Sequence, residues 1–209
     1  MRSKDDSCKT RARLIDIVTF MGGTQMESKA AARKRMGGLR RSVGPEQYEA
    51  LATELKRRLA GVRYMLTLGC YRPIGSEPDL TSVFTAWRDA EENRALALPW
   101  CTSREPAVMD FRVWTPGETL LPDATGIPAP RGKIVVPDAL IIPCLGWTRS
   151  RRRLGYGGGF FDRYVARVSE LGAHPRLIGV GYGVNEVEDG LFETHDLPLD
   201  LIITDIGVF

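Results

Sequence analysis

The residues best suited to chemistry stand in one stretch, residues 153–162, with the sequence RLGYGGGFFD. Three consecutive glycines, Gly157, Gly158 and Gly159, lose much backbone freedom on folding, so we expect a ligand or another backbone to approach them closely. The apolar residues that follow recur at helical spacing and predict a helix that begins at or just after the glycines. A glycine loop that leads into a helix N-terminus offers unpaired N–H groups and a positive dipole end, which suit phosphate.

Basic and acidic side chains flank the glycines. Arg151, Arg152 and Arg153 supply positive charge beside the loop, and Asp162 falls in the first turn of the predicted helix. Neither common nucleotide motif matches, because no lysine follows the glycines as in a Walker loop, and Phe160 stands where a dinucleotide motif requires glycine. Taken singly, these residues are more simply explained by an aspartate that interacts with the helix dipole and by solvated arginines.

The segments around this loop alternate between helix and strand patterns. Helices are predicted at residues 28–41, 45–59 and 80–93 and from residue 160 onward. Strands are predicted at residues 62–71, 95–99, 108–114, 139–142, 177–182 and 201–204, and residues 115–132 as a long proline-rich connector. This order predicts a single α/β domain, a three-layer Rossmann-like fold whose mixed, largely parallel sheet is flanked by helices, with ligands at the carboxyl ends of the strands.

The composition limits the class of protein. The chain has 209 residues, of which 43% are hydrophobic and 26% charged, as expected of one soluble domain. A net charge of +3 is too small for a nucleic-acid interface, and no apolar run is long enough to span a membrane. The four cysteines form no C-x-x-C pair, which argues against zinc and for a reducing compartment. We expect residues 1–28 to be an N-terminal extension and residues 29–209 to be the domain.

The whole glycine stretch closely resembles the signature of the 5-formyltetrahydrofolate cyclo-ligase family, R-L-G-Y/M-G-G/K-G-Y/F-Y-D. Other stretches resemble family motifs in the same order, from about residue 29 to residue 204. These are KAAAR (29–33), YRPIGSEPD (71–79), FRVWTPG (111–117), DALIIPCLGW (138–147) and HDLPLDLIIT (195–204). The resemblance implies conversion of 5-formyltetrahydrofolate to 5,10-methenyltetrahydrofolate with ATP and Mg²⁺.

The resemblance also implies roles for individual residues. ATP is expected to contact Lys29, Ala30, Ala31, Ala32, Arg33, Arg153, Leu154, Gly155, Tyr156, Gly157, Gly158, Gly159, Phe160 and Phe161. The folate is expected to contact Tyr71, Glu77, Asp79, Trp114 and Tyr156. Mg²⁺ is expected at Asp162 and Asp200, with Asp196 as a further candidate ligand. The catalytic residues are expected to be Arg153, Tyr156 and Asp162.

Simpler structural explanations stand beside these roles. Glu77 and Asp79 are equally typical of a polar turn around a proline. Trp114 is as well explained by core packing as by ligand contact. Lys29 is also consistent with a solvent-exposed lysine in a first helical turn, and Asp196 with a turn residue.

The sequence departs from the family pattern at two notable positions. Phe161 stands where the family usually has tyrosine, and Ala129 where it often has glutamate. These changes keep one alternative open, a folate- or nucleotide-binding paralogue without catalysis. The glycine loop alone would also permit a second, a phosphosugar isomerase-like protein. Under the main hypothesis we expect a cytoplasmic monomer that binds a small folate and neither nucleic acid nor membrane.

Overall fold

A computed structural model describes residues 27–62, 65–192, 196 and 198–209 of the chain. The predicted N-terminal extension therefore lies outside the described residues except for its last two. The helices are α1 Lys29–Arg40, α2 Pro45–Ala60, α3 Thr81–Asp89 and α4 Phe160–Glu170. The strands are β1 Thr67–Gly69, β2 Ala95–Ser103, β3 Val108–Trp114, β4 Leu121–Pro122, β5 Pro128–Ala129, β6 Ile134–Val135, β7 Ala139–Pro143, β8 Gly146–Trp147, β9 Arg153–Leu154, β10 Arg176–Val180, β11 Leu201–Thr204 and β12 Gly207–Val208.

Eight of the described strands form one sheet in the order β12-β11-β10-β7-β1-β2-β3-β6. Strands β11, β10, β7, β1 and β2 pair in parallel, whereas β12 pairs antiparallel with β11, and β3 antiparallel with β2 and β6. Two short hairpins, β4–β5 and β8–β9, stand outside this sheet. The predicted mixed, largely parallel sheet is confirmed.

Helices cover both faces of the sheet. Successive side chains of a strand point to opposite sides, so an apolar strand has two apolar faces to bury. In β7, Ala139 and Ile141 pack in one apolar cluster with residues of α2 and α3. Leu140 and Ile142, between and beside them, pack in a second cluster with residues of α4. The continuous apolar strand in the sequence is therefore buried on two faces, and the three-layer arrangement follows from it.

Local start and stop signals set the helix bounds. The Ser28 hydroxyl accepts a hydrogen bond from the Ala31 N–H, which caps α1 as the sequence predicts. Pro45 is the first residue of α2, and Gly61 follows its last turn. None of the described helices combines the length and apolar character needed to cross a bilayer.

The strand predictions differ from the structure mainly in length. Strand β1 is shorter than the predicted strand at residues 62–71, whereas β2 runs four residues beyond its predicted end because it continues to pair with β3. The predicted connector at residues 115–132 contains the β4–β5 hairpin. Asp123 holds this hairpin, accepting hydrogen bonds from the Thr125 and Ile127 N–H groups and from the Cys101 N–H of β2.

Candidate functional site

A cavity of about 440 Å³ lies at the carboxyl ends of the parallel strands. Tyr71 follows β1 into it, Cys101 near the end of β2 lines it, and Pro143 ends β7 beside it. The other walls come from α1, the loop after β1, the β4–β5 hairpin and the glycine loop. This is the edge of the sheet at which open α/β folds bind their ligands, as the sequence predicts.

The glycine loop connects β9 to α4 and forms one wall of the cavity. Gly157 and Gly159 have φ angles of 94° and 64°, which side chains rarely adopt, and Gly159 is the N-cap of α4. A Cβ atom at Gly157 would lie 3.3 Å from Cζ of Arg33. The glycines are therefore needed both for the path of the backbone and for the approach of a basic side chain.

Basic side chains of distant segments meet at this loop. Nε of Arg33 donates to the Gly155 carbonyl at 2.9 Å. Nη2 of Arg153 lies 3.0 Å from both carboxylate oxygens of Asp162, and Nζ of Lys29 lies 2.7 Å from Oδ2 of Asp196. All six residues line the cavity. Guanidinium and ammonium groups beside a glycine loop are typical of a site for a phosphorylated ligand.

Asp162 and Asp196 bring carboxylates to the same cavity, each next to a cation. Mg²⁺ is usually held by one or two carboxylates together with phosphate oxygens of a substrate. The described part of the chain contains no group of three or more His, Cys, Asp or Glu side chains placed to hold a metal. The residues thus fit a magnesium ion that arrives with a phosphorylated ligand.

The structure corrects the predicted magnesium ligand Asp200, which does not line the cavity. Its carboxylate accepts a hydrogen bond of 2.6 Å from the Leu177 N–H, near the start of β10. Asp200 directly precedes β11, so it stands at the amino edge of the parallel strands.

Two predicted folate residues also lie elsewhere. Trp114 is 5% exposed and packs in the cluster with α2 and α3, on the face of the sheet opposite Phe111. The core-packing explanation therefore holds for Trp114. Asp79 is exposed, and its carboxylate accepts a hydrogen bond from the Thr81 N–H at the start of α3. The turn explanation holds for Asp79.

The three alanines of the predicted ATP set do not line the cavity. Ala30 and Ala31 are exposed, and Ala32 is fully buried in a small cluster with Leu145 and Leu154. They serve to place the two basic residues that flank them, which lie four positions apart on one side of α1.

Of the residues expected to contact the folate, Tyr71 and Glu77 line the cavity, as does Tyr156. The Tyr71 hydroxyl donates to the Pro78 carbonyl at 2.6 Å, which fixes the ring against the loop. Oε2 of Glu77 accepts a hydrogen bond of 2.9 Å from the Ile74 N–H. Burial raises the pKa of Glu77 to about 7, against the effects of this hydrogen bond and of Arg40. The Glu77 carboxyl group can thus accept hydrogen bonds from N–H groups of a ligand in a poorly hydrated part of the cavity.

The sequence did not identify Arg40 as part of the site. Its side chain is buried, and its Nη2 donates to the hydroxyl of the cavity residue Tyr156. A signal was present, because Ala32, Met36 and Arg40 recur at a spacing of four and form the buried row of α1. Other cavity residues were also missed, among them the polar residues Arg72, Arg104, Asp123 and Thr125.

Phe161 lines the cavity, and Ala129 does not. The Phe161 ring lies 6.4 Å from the Phe111 ring and 5.5 Å from Cζ of Arg153, measured to ring centroids. Ala129 is 1% exposed within the β4–β5 hairpin. Of the two departures from the family pattern, the one at Phe161 therefore adjoins the site.

The fold is that of an α/β protein with a cavity at the carboxyl edge of its sheet, beside a glycine loop and a helix N-terminus, the place where proteins of this class bind their ligands. A profile of the 5-formyltetrahydrofolate cyclo-ligase family matches residues 25–205. The chain belongs to this family, and the resemblance stated from its motifs is confirmed.

Three relatives illustrate how far the similarity extends. The 5-formyltetrahydrofolate cyclo-ligase of Mycolicibacterium smegmatis is 27% identical over 192 residues, 85% of this chain and 93% of the relative. The mitochondrial 5-formyltetrahydrofolate cyclo-ligase of Arabidopsis thaliana is 36% identical over 78 residues, 34% of this chain and only 28% of that protein. The solved structure of 5,10-methenyltetrahydrofolate synthetase from Aquifex aeolicus aligns with a TM-score of 0.69 and 24% identity over 86% of this chain and 91% of that one.

Proposed function

We propose that the chain converts 5-formyltetrahydrofolate to 5,10-methenyltetrahydrofolate with Mg-ATP and releases ADP and phosphate. The observation that carries this proposal is one cavity with two kinds of lining. Basic side chains and the glycine loop suit a triphosphate, and Glu77 with Tyr71 suits the donor-rich edge of a reduced pterin. Family membership favours this reaction over a phosphosugar isomerase activity.

The chemistry explains why both substrates must share the cavity. A formamide carbonyl is a poor electrophile, so its oxygen is first phosphorylated: an oxygen–phosphorus bond forms and the bond to ADP breaks. The N10 lone pair then attacks the formyl carbon, the carbon–oxygen bond to phosphate breaks, and N10 loses its proton as the ring closes. Catalysis of such transfers rests mainly on positioning and on charge stabilisation.

The basic side chains and the glycine loop would hold the nucleotide. The free N–H groups at the start of α4 would donate hydrogen bonds to phosphate oxygens, which the positive end of the helix dipole also attracts. Arg33 and Arg153 would bind further phosphate oxygens. Lys29 would exchange its ion pair with Asp196 for a phosphate contact. Asp162 and Asp196 would hold Mg²⁺, which neutralises charge on the transferring phosphoryl group when bound.

The direct test is an absorbance assay with the purified protein. Mg-ATP and 5-formyltetrahydrofolate together should produce the near-ultraviolet absorbance of the methenyl product, and equal amounts of ADP and phosphate. A reaction without ATP is the control. Absence of turnover with both stereoisomers of the folate would contradict the proposal.

Phe161 favours one second candidate, a protein that binds folate and nucleotide without catalysis. Its ring lacks the hydroxyl that the family usually places there, and it lines the cavity. Calorimetric binding of ATP or folate without product, together with turnover in Phe161→Tyr, would support this candidate.

We also propose that the protein is a monomer that acts in the cytoplasm on a small folate. Sedimentation velocity of the purified chain tests the oligomeric state, and a stable dimer would contradict it.

A further inference from the structure

Arg40 is a buried charge at the end of α1. The residue is 3% exposed, and no described carboxylate forms an ion pair with it. Its Nη1 atom is buried and has no hydrogen-bond partner among the described residues. Burial of a guanidinium group is costly unless its N–H groups are used, so its presence calls for a function.

The other two nitrogens of Arg40 join two walls of the cavity. Nε donates to Oγ of Ser76 at 3.0 Å, in the loop after β1, and Nη2 donates to the hydroxyl of Tyr156 in the glycine loop. Ser76 directly precedes Glu77. A single side chain from α1 thus holds the proposed folate loop and the proposed nucleotide loop at a fixed separation.

The direction of the hydrogen bond determines what Tyr156 can do. A guanidinium group only donates, so the phenol oxygen accepts from Arg40 and keeps its own proton for another partner. Tyr156 lines the cavity and is 50% exposed, and no described residue accepts a hydrogen bond from it. Burial and the carboxyl of Glu77 raise the pKa of Tyr156 while Arg40 lowers it, so the phenol carries its proton at neutral pH.

We propose that Arg40 is a positioning residue that orients the Tyr156 hydroxyl to donate a hydrogen bond to the formyl oxygen of bound folate. This inference rests on the proposed function. The contact of Arg40 with Ser76 places the oriented phenol next to the folate loop, and Tyr156 is the residue that touches the reacting group. Arg40 acts through Tyr156 and through no contact of its own with the substrate.

A double-mutant comparison tests the inference, with Arg40→Met, Tyr156→Phe and the double variant assayed for methenyl formation. Tyr156→Phe should reduce kcat with folate roughly 100-fold or more, because the formyl oxygen gains negative charge as its bond to the formyl carbon breaks and would then lack its hydrogen-bond donor. Arg40→Met should reduce it about tenfold or more in the parent chain, but by a clearly smaller factor in the Tyr156→Phe background, where only the contact with Ser76 is lost. Arg41→Gln, one residue further and exposed, is the matched control and should be unchanged.

Two outcomes would overturn the inference. If the losses from Arg40→Met and Tyr156→Phe multiply, Arg40 does not act through Tyr156. If Tyr156→Phe changes KM for ATP and leaves the kinetics with folate unchanged, the phenol serves the nucleotide. Should Arg40→Met fail to fold, Arg40→Lys gives the same comparison, because one ammonium group does not reproduce the fork that reaches both loops.

An ultraviolet titration separates this inference from the proposed function, since it needs no turnover. The difference between the parent chain and Tyr156→Phe isolates the titration of that phenol. Removal of Arg40 takes away a positive charge that stabilises the phenolate, so Arg40→Met should raise the pKa of Tyr156. An unchanged pKa would show that the contact is absent, whatever the outcome of the assay on the parent chain.

Discussion

At Glu77 a single carboxyl group links binding to stability. Its side chain is 8% exposed, and burial raises its pKa to about 7 from a usual value of 4.5. Between these two pH values the folded state binds more protons than the unfolded state, so the stability falls as the pH rises through this window. Well above pH 7 the free energy of unfolding is therefore lower by about 3 kcal/mol than it would be if Glu77 stayed protonated.

We therefore expect Glu77→Gln to be more stable than the parent chain by about 1–3 kcal/mol at pH 8, with a difference near zero at pH 4.5. The amide can still accept the hydrogen bond from Ile74. Urea unfolding at both pH values measures the difference, with the exposed Asp79→Asn as control. The same variant should bind folate more weakly. A stability difference that is constant with pH would contradict the explanation.

Arg153 and Asp162 should matter more for turnover than for stability. The Asp162 side chain is 52% exposed and that of Arg153 10%, and an ion pair with an exposed partner contributes only about 0–1 kcal/mol. Arg153→Ala and Asp162→Asn should each reduce kcat roughly 100-fold or more, whereas the free energy of unfolding should fall by about 1 kcal/mol or less in Asp162→Asn and by about 1–2 kcal/mol in Arg153→Ala, which also loses buried packing. Steady-state assays and urea titrations give the two numbers. Glu170→Gln at the other end of α4 is the control, and parallel losses of activity and stability would indicate structural roles.

Some of the residues expected at a binding site lie at the cavity and others do not, for physical reasons. Lys29, Arg33 and Asp162 stand in motifs whose chemistry is local, and the structure brings them to the cavity. Trp114 depends on strand register: it pairs with Leu96 and faces α2 and α3. A shift of one residue would turn it to the other face, and no local pattern specifies which face the cavity adjoins.

At the scale of elements, the glycine loop allows a matched test of backbone strain against ligand binding. Gly157 and Gly172 have similar φ angles, 94° and 83°, but a Cβ at Gly172 would meet nothing within 4 Å. Alanine at either position should cost about 1–2 kcal/mol of stability. Only Gly157→Ala should raise KM for ATP, because its Cβ would press on Arg33. Equal KM values for the two variants would argue against a role of this loop in nucleotide binding.

The elements that local signals define were predictable, and those that depend on distant partners were not. The cap at Ser28, the proline that opens α2 and the glycines before α4 each act within a few residues of the chain. The β4–β5 hairpin instead depends on Asp123, whose Oδ2 accepts the Cys101 N–H at 3.0 Å from 22 residues away. Although burial opposes its charge, these hydrogen bonds lower the pKa of Asp123. This wall of the cavity depends on a contact between distant segments, so local sequence patterns do not predict it.

For the whole molecule, ligand binding should stabilise a cavity built from so many segments. At 100 times its Kd, Mg-ATP should add about 2.7 kcal/mol to the free energy of unfolding. For a chain of this size that corresponds to an increase in Tm of roughly 5–10 °C. Calorimetric melts with Mg-ATP and with adenosine measure the effect of the phosphates. Equal shifts with both, or an undiminished shift in Lys29→Met, would contradict the placement of phosphate.

The ion pair between Lys29 and Asp196 joins residues 167 positions apart in the chain. During synthesis on the ribosome, α1 is present long before its partner leaves the exit tunnel. For most of its translation the nascent protein therefore has the basic helix but neither the glycine loop nor Asp196, and so no closed nucleotide pocket. Products of premature termination before Asp196 should bind neither substrate well, so a cell would gain no partial activity from them.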